Sequence, residues 1–187
     1  MDAAGFPSYV IFWDALPGRC VHIAATFFVK HGAMTIIRWA DFPADIHALL
    51  DIWREYIATP SVSLDYQGNE AEFVTLPGKY APPQGCVLVA DNDGEIDGCI
   101  AYRQVGPGLC EMKRLYVRPR ARGTQLGQDL IGQLILEARK AGYVEMRLDV
   151  LEEFTSARRL YEAFGFVPAE PISYNPIPGT AFLGLPL

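Results

Sequence analysis

Hydrophobic residues recur with the period of an α-helix in the segment that follows Asp41. Asp41 is a candidate N-cap, and Pro43 suits a first helical turn, where no backbone amide hydrogen is needed. This spacing predicts an amphipathic helix over 43–58, and a shorter helix is expected over 66–75. The apolar positions that would share one face of the first helix are Ile46, Leu49, Leu50, Trp53 and Ile57.

The apolar runs in the rest of the chain alternate with turn residues and predict β-strands. The turn from Asp91 to Gly94 predicts a hairpin between two of them. Predicted strands occupy 35–39, 86–90, 96–104, 110–117, 144–150 and 181–185, and predicted helices occupy 125–141 and 155–164. Short turns join the early strands, whereas helices join later ones. This order predicts an α/β (α+β) domain with a mixed, mostly antiparallel sheet flanked by helices.

Length and composition are those of one globular domain. The chain has 187 residues, of which 50% are hydrophobic and 20% charged, which is enough for a sizeable core and too short for two comfortable domains. Its formal net charge of −6 argues against general nucleic-acid binding, which needs a broad basic surface. The histidines, His22, His31 and His47, lack metal-ligand spacing, so no metal site is expected.

The cysteine pattern is typical of a protein from a reducing compartment. Cys20, Cys86, Cys99 and Cys110 show no C-x-x-C spacing, and the last three lie in apolar, strand-like runs. A free cysteine in such a run behaves as a small hydrophobic residue. We therefore expect buried, reduced thiols and a cytoplasmic location, with disulfides as the alternative.

The first 33 residues do not continue the pattern of the rest of the chain. A signal peptide begins with a positive region, whereas this chain begins with methionine and aspartate. A membrane-spanning helix needs about 20 apolar residues, and Asp14, Pro17 and Arg19 interrupt this stretch. We expect no membrane association and a domain over 34–187. The residues before it form an extension of unclear role, with a dimerisation arm for a homodimer or a substrate lid as the alternatives.

Five basic residues lie within ten positions, namely Lys113, Arg114, Arg118, Arg120 and Arg122. They precede the helix predicted over 125–141, and the loop before that helix also contains Gly123. A helix N-terminus offers unpaired N–H groups and about half a positive charge, and glycine lets a ligand approach the backbone closely. Together these features predict an anion site, most often one for phosphate or pyrophosphate. An ordinary loop with solvated arginines is the alternative.

Two motifs narrow the nature of this site. The pattern V-x-P-x-x-R-G-x-x-L/I-G runs from Val117 to Gly127, and A-x-x-L-Y-x-x-x-G-F runs from Ala157 to Phe166. The first segment lacks the lysine of a Walker loop and the glycine spacing of a dinucleotide-binding fingerprint. Over about 34–187, the chain resembles the GNAT acetyltransferases. The resemblance implies an N-acetyltransferase with a single-domain GNAT fold, whose splayed central strands hold acetyl-CoA.

By this resemblance acetyl-CoA is the cosubstrate, and the strand before the loop would pair with its pantetheine arm through Leu115, Tyr116 and Val117. The residues that would hold the pyrophosphate are Arg122, Gly123, Thr124, Gln125, Leu126, Gly127 and Gln128. Gln125 stands where the family commonly has glycine. Because backbone amides do the binding, an outward-pointing glutamine side chain is compatible with that role.

Acetyl transfer to an amine involves two proton transfers. The ammonium form (pKa ~10.4) must lose a proton before it can attack, and an acid helps the thiolate to leave. Tyr161 falls on the family's tyrosine position and is the candidate acid, with a tyrosine packed in the core as the alternative. Cys110 as an acyl-carrying nucleophile has no histidine placed to activate it. Phe154 replaces an asparagine found in many members, so that contact is absent or made by Ser156.

Glu111 is the candidate base, because several family members carry a catalytic glutamate six residues before the position of Val117. On a regular strand, Glu111 shares a face with Leu115 and Val117, although a bulge would change that. A glutamate in an apolar strand is costly unless it is paired or functional. A salt bridge to Lys113 or Arg103 is therefore the alternative.

The resemblance places the acceptor against 56–80 and 173–178. Candidate contacts there are Asp65, Tyr66, Glu70, Glu72, Lys79, Tyr80 and Tyr174. Lys79 would pair with a substrate carboxylate, and Glu70 or Asp65 with an amine, with solvated surface side chains as the alternative for each. The expected reaction is direct transfer to the primary amine of a small or amino-acid-like molecule. A protein or peptide N-acetyltransferase and a non-catalytic acyl-CoA-binding regulatory module are the alternatives.

Overall fold

The computed structural model describes residues 26–30, 33–64 and 68–187. Within them, eight strands form one sheet in the order β1-β2-β3-β4-β5-β6-β8-β7. The strands are β1 (Thr26–Lys30), β2 (Ala33–Trp39), β3 (Gly85–Asn92), β4 (Glu95–Gly106), β5 (Leu109–Val117), β6 (Glu145–Val150), β7 (Val167–Pro168) and β8 (Ala181–Pro186). Neighbouring strands are antiparallel except β5 and β6, which are parallel. The predicted mixed, mostly antiparallel sheet is confirmed.

In the described part of the chain, four α-helices cover the two faces of this sheet. They are α1 (Ile46–Ile57), α2 (Asn69–Phe73), α3 (Leu126–Lys140) and α4 (Thr155–Ala163). The apolar stripe of α3 and residues of α4 pack on one face, against alternate side chains such as Leu88 and Ile100. The apolar side of α1 packs on the other face, against Val87 and Val89. This two-sided burial follows from the alternation of side chains along each strand.

The first helix begins later than the sequence predicts. Asp41 is not its N-cap, because 42–45 form turns and the helix starts at Ile46, directly after Asp45. The Asp45 carboxylate instead accepts hydrogen bonds from the Asp41 amide (2.7 Å) and from Arg38 (2.6 and 3.0 Å). The Asp45 carboxylate thus pairs with Arg38 on β2 and does not cap the helix that follows it.

A β-bulge interrupts β5 at Arg114. The register between β4 and β5 shifts between Cys99 and Ala101, and Arg114 has a left-handed backbone with φ +61°. The extra residue moves Leu115 and Val117 onto the face that also carries Met112. The predicted shared face of Glu111 with Leu115 and Val117 is therefore wrong, because the bulge reverses the alternation between them.

The strand β1 lies inside the stretch that the sequence left unexplained, and it pairs with β2 from Thr26 opposite Ile37 to Lys30 opposite Ala33. The boundary predicted at Met34 remains a prediction. A chain that begins at Met34 should still fold and bind acetyl-CoA, because Thr35–Trp39 keeps its full pairing with β3. Thermal unfolding with and without acetyl-CoA checks this. An insoluble product, or one that no longer responds to acetyl-CoA, would show that β1 is required.

Candidate active site

A gap opens in the centre of the sheet between β5 and β6. Their parallel pairing covers only three positions and ends where Glu111 meets Arg147. Beyond this point the edge of β5 from Met112 to Val117 borders a cavity of about 710 Å³. Strand β6 borders the other side from Leu148 to Val150. The backbone of β5 thus keeps polar groups facing the cavity, where an extended ligand can pair with them.

The N-terminus of α3 closes one end of this cavity. Nine of the ten predicted cofactor-binding residues line it, namely Leu115, Tyr116, Val117, Arg122, Gly123, Gln125, Leu126, Gly127 and Gln128. Thr124 does not, and its hydroxyl donates to the Ala121 carbonyl at 2.7 Å, which holds the loop in shape. The first amides of a helix have no intrahelical partner and attract anions. The structure therefore joins an anion site to the open strand edge.

Gln125 precedes α3 in a left-handed conformation, with φ 69° and ψ 1°. This conformation costs a residue other than glycine roughly 1–2 kcal/mol. The loop therefore keeps the backbone that glycine usually provides, although the residue is glutamine. Its side chain is exposed, which agrees with the expected outward orientation.

The dense run of basic residues does not form one positive patch. Lys113 pairs with Asp149, Arg114 with Glu72, Arg118 with Glu55, and Arg120 with Glu95 and Asp97. Arg122 alone among the five has no carboxylate partner in the described residues. Its Nε donates to the Val117 carbonyl at 3.0 Å, and its guanidinium lies 5.8 Å from the centre of the Tyr116 ring. Four of the five cations are therefore engaged by carboxylates, and Arg122, the one predicted to hold the pyrophosphate, is not.

Tyr161 reaches the cavity from α4. Its side chain is buried and packs edge-on against Phe166, with ring centres 5.8 Å apart. Burial raises the pKa of the phenol above its usual range, and Tyr56 and Asp149 raise it further. Tyr56, on α1, lines the same cavity. The phenol is thus a protonated group at the position where the strands separate.

Glu111 is fully buried and held by two cations. Its carboxylate accepts from Arg103 at 2.6 Å, and Lys113 Nζ lies 3.5 Å away. Both salt bridges that the sequence offered as the alternative are therefore present. Glu111 is not among the residues that line the cavity, which begin on this strand at Met112.

Asp149 and Glu153 also line the cavity, and neither is among the candidate site residues that the sequence suggests. Asp149 on β6 accepts from Lys113 Nζ at 3.3 Å and from Asn175 Nδ2 at 2.6 Å. Glu153 accepts from the amide and hydroxyl of Ser61, at 3.1 and 2.9 Å for the nearer contacts. No signal in the sequence points to Asp149, because β6 alternates between charged and apolar residues and Asp149 lies on its charged side.

The predicted acceptor contacts are distributed differently. Glu72 and Lys79 form an ion pair, and the buried Tyr80 hydroxyl donates to Glu72 at 3.0 Å. These three groups therefore bind one another. Glu70 and Tyr174 are exposed. The remaining two predicted contacts, Asp65 and Tyr66, lie outside the described residues.

Further candidates from the sequence are placed as follows. Burial raises the pKa of the Cys110 thiol to about 12, so this thiol is poorly suited to nucleophilic attack. Phe154 and Ser156 both line the cavity, at the start of α4. Across the described part of the chain, no cluster of three or more histidine, cysteine or acidic side chains is arranged to bind a metal. No helix in that part is long and apolar enough to cross a membrane.

Comparison with known proteins agrees with this architecture. Residues 83–168 match the acetyltransferase (GNAT) domain family. An uncharacterised N-acetyltransferase from Schizosaccharomyces pombe is 41% identical over 145 residues, covering 76% of this chain and 89% of the relative. A Klebsiella pneumoniae structure assigned as an acyl-CoA N-acyltransferase is 27% identical, with TM-score 0.65 over 82% of this chain and 97% of the other. PaiA N-acetyltransferase from Thermoplasma acidophilum, solved with coenzyme A, gives TM-score 0.64 at 17% identity over 81% and 99%.

This chain combines the mixed sheet, the gap between β5 and β6, and a helix N-terminus at the end of that gap. The S. pombe relative shares its sequence over most of both proteins. The chain therefore belongs to the GNAT family of acetyl-CoA-dependent N-acetyltransferases.

Proposed function

We propose that this protein transfers the acetyl group of acetyl-CoA directly to the primary amine of a small or amino-acid-like molecule. The observation that carries the proposal is the gap between β5 and β6, which has an anion site at one end and the phenol of Tyr161 beside it. An amine entering from the α1 face would meet a thioester laid along β5. No covalent enzyme intermediate is needed, since the donor and acceptor meet in one cavity.

The residues of this cavity fit acetyl-CoA in three respects. The unpaired edge of β5 can pair with the amides of a pantetheine arm, as an added strand does. The amides of Leu126 and Gly127 lie in the first turn of a 15-residue helix, where a pyrophosphate is favoured. Arg122, which has no carboxylate partner among the described residues, supplies a cation there.

The contact between Ser61 and Glu153 supports a small acceptor. Thr59 and Glu153 both line the cavity, and the hydrogen bonds from Ser61 to Glu153 join the loop after α1 to the loop before α4. This link restricts the width available to the acceptor. A peptide acceptor would need a groove that remains open between these two loops.

A CoA-release assay over primary amines, amino acids and peptides tests the proposal. We expect acetylation of small amines or amino acids in preference to peptides. Faster turnover of peptides would support the protein or peptide acetyltransferase. Stabilisation by acetyl-CoA without transfer to any acceptor would favour the regulatory module and contradict the proposal.

Gly127→Asp should abolish the rise in thermal midpoint that acetyl-CoA causes by binding the folded protein. Gly127 is the second residue of α3, where a carboxylate would repel the pyrophosphate. Gly127→Ala is the matched control, because its methyl group would lie 3.6 Å from Leu160, an ordinary contact. Thermal unfolding with and without acetyl-CoA compares the variants. An aspartate variant stabilised as strongly as the parent would place the pyrophosphate elsewhere.

The proposed cellular location is the cytoplasm. Cys86, Cys99 and Cys110 are buried and free, and none is placed in a disulfide within the described residues. Reduced thiols persist in the cytoplasm, whereas oxidising compartments favour disulfides. Acetyl-CoA as cosubstrate also supports an intracellular setting.

A further inference from the structure

Two carboxylates border the cavity among the described residues, those of Asp149 and Glu153. Asp149 lies on β6, directly across the gap from β5. Glu153 lies in the loop that precedes α4. Glu111, the base expected from the sequence, is behind the cavity wall and does not border the space. The proton of an incoming ammonium group therefore has two carboxylates within the cavity to which it can go.

Asp149 has the more suitable surroundings of the two. Its side chain is 12% exposed, so it is largely shielded from solvent while still bordering the cavity. Asn175 Nδ2 donates to one oxygen at 2.6 Å, and Lys113 Nζ lies 3.3 Å from the other. These two donors fix the carboxylate beside the gap that Tyr161 also borders. The exposed Glu153, by contrast, is engaged by the amide and hydroxyl of Ser61.

Lys113 does not compete for the role of base. Burial lowers the pKa of its ammonium, but Asp149 and Glu111 raise it more, so the net shift is upward. Lys113 therefore stays protonated and acts on Asp149 as a positioning residue. Glu111 balances its charge from the other side, at 3.5 Å.

We propose, on the basis of the function proposed above, that Asp149 accepts the proton of the acceptor ammonium. The proton moves from nitrogen to an Asp149 oxygen, which leaves a neutral amine. The amine nitrogen then forms a bond to the acetyl carbonyl carbon, and the carbon–sulfur bond breaks. The sulfur leaves as a thiolate and takes a proton from Tyr161. The new amide nitrogen then loses one of its two protons. Of this proton and the one on Asp149, one restores Tyr161 and the other passes to solvent, so one proton is released per acetyl group transferred.

The charge around Asp149 is set by groups from each element that borders it. Strand β5 contributes the positive Lys113 and, next to it, the negative Glu111. Helix α4 contributes Tyr161 and helix α1 contributes Tyr56, both neutral phenols at neutral pH. The loop before α4 contributes Glu153, and Arg114 acts on Lys113 from the bulge. Asp149 is thus a carboxylate that both lines the cavity and contacts a largely buried cation.

Asp149→Asn tests the proposal, with phenethylamine as the probe amine and acetyl-CoA at saturation. Because only the small neutral fraction of the amine then reacts, kcat/KM for phenethylamine at pH 7 should fall by about 10²–10⁴-fold. The loss should shrink by about tenfold for each unit of increase in pH, until the pH approaches the pKa of the amine. A carboxylate that only binds the ammonium would instead give a loss that stays constant as the pH rises through neutrality.

A second amine makes the test independent of small changes in packing. In β,β-difluorophenethylamine the fluorines withdraw electrons, so more of the amine is neutral at pH 7 while its size is almost retained. The loss caused by Asp149→Asn should be at least tenfold smaller with this amine. Asp149→Glu, which restores a carboxylate, should recover part of the lost rate with phenethylamine.

Glu111→Gln is the competing variant, and the acetyl-CoA-induced rise in thermal midpoint confirms that each variant is folded. If Glu111→Gln gives the pH-dependent loss and Asp149→Asn does not, the assignment to Asp149 is overturned. An equal loss with both amines at every pH would also overturn it. A parent protein that acetylates neither amine nor any acceptor of the wider panel would overturn the proposed function, and this assignment with it.

Discussion

Tyr161→Phe should lower kcat by about 10²–10⁴-fold and leave the affinity for acetyl-CoA nearly unchanged. The ring can still pack edge-on against Phe166, so only the hydroxyl is lost. Burial raises the pKa of this phenol, which keeps it protonated over the neutral range. A proton is therefore available for the departing thiolate. Steady-state kinetics at saturating acetyl-CoA measure the change.

The raised pKa also fixes the sign of the pH dependence. A group that acts as an acid is active below its pKa, so Tyr161 should not limit the rate at neutral or mildly alkaline pH. The rate of the parent should change little over that range, because Asp149 takes the ammonium proton. Tyr161→Phe should thus lower the whole profile without changing its shape.

Tyr143→Phe is the matched control for this substitution. The Tyr143 hydroxyl donates to the Gln84 carbonyl at 2.8 Å, and Tyr143 does not line the cavity. Its loss should cost about 1 kcal/mol of the free energy of unfolding while kcat is retained. If Tyr161→Phe is as active as Tyr143→Phe, the acid role of Tyr161 is wrong and another donor protonates the thiolate.

The cofactor end of the site was predictable because its determinants are local in sequence. The apolar period of α3, the glycines before it and the motif from Val117 to Gly127 all lie within one short segment. A strand that runs into a loop and a helix N-terminus has a limited set of geometries. The backbone amides of that turn therefore follow from the sequence, even with glutamine at 125.

The acceptor end was not predictable in the same way, because it depends on contacts between distant segments. The bulge at Arg114 reverses the alternation of β5 and turns Glu111 away from Leu115 and Val117. Asp149 becomes a candidate base only when β6 is placed next to β5 and then diverges from it. Neither event leaves a periodic signal in the sequence.

The cluster of basic residues shows that ion pairs between distant segments are equally hard to predict from the sequence. Five cations in ten positions look like one anion site, yet four of them pair with carboxylates drawn from other parts of the chain. Glu72, for example, lies 42 residues before Arg114. The three-dimensional arrangement shows that these four are engaged, whereas the family resemblance had already selected Arg122.

Arg114→Met should destabilise the fold by about 3–5 kcal/mol, because it leaves the buried Glu72 without its main cation. The side chain of Arg114 is 1% exposed and that of Glu72 is 7% exposed. Arg114 donates to Glu72 and Asn69, each at 2.7 Å for the shortest contact, and its guanidinium lies 5.3 Å from the centre of the Trp53 ring. For a chain of this size the loss corresponds to a fall in Tm of roughly 6–20 °C.

Arg114→Met should also change how the free energy of unfolding depends on acidic pH. Burial raises the pKa of Glu72, but Arg114 and Lys79 lower it more, so the net shift is downward. A carboxyl whose pKa is lowered by folding adds stability above its unfolded pKa, and that stability is lost as the pH falls through the folded value. The parent should therefore lose this contribution below a pH of about 4.3. The free energy of unfolding of Arg114→Met should fall less on acidification, because Arg114 no longer lowers the pKa of Glu72.

Two further variants separate the buried pair from general effects of losing an arginine. Arg158→Met removes an exposed partner of Glu162 and should change the free energy of unfolding by at most about 1 kcal/mol. Glu72→Gln added to Arg114→Met removes the unpaired charge, so the double variant should be less destabilised than the sum of the single ones. Urea unfolding of the parent, Arg114→Met, Arg158→Met, Glu72→Gln and the double variant measures each value. If Arg114→Met costs no more than Arg158→Met, the buried ion pair between Arg114 and Glu72 does not stabilise the fold, because it then contributes no more than an exposed pair.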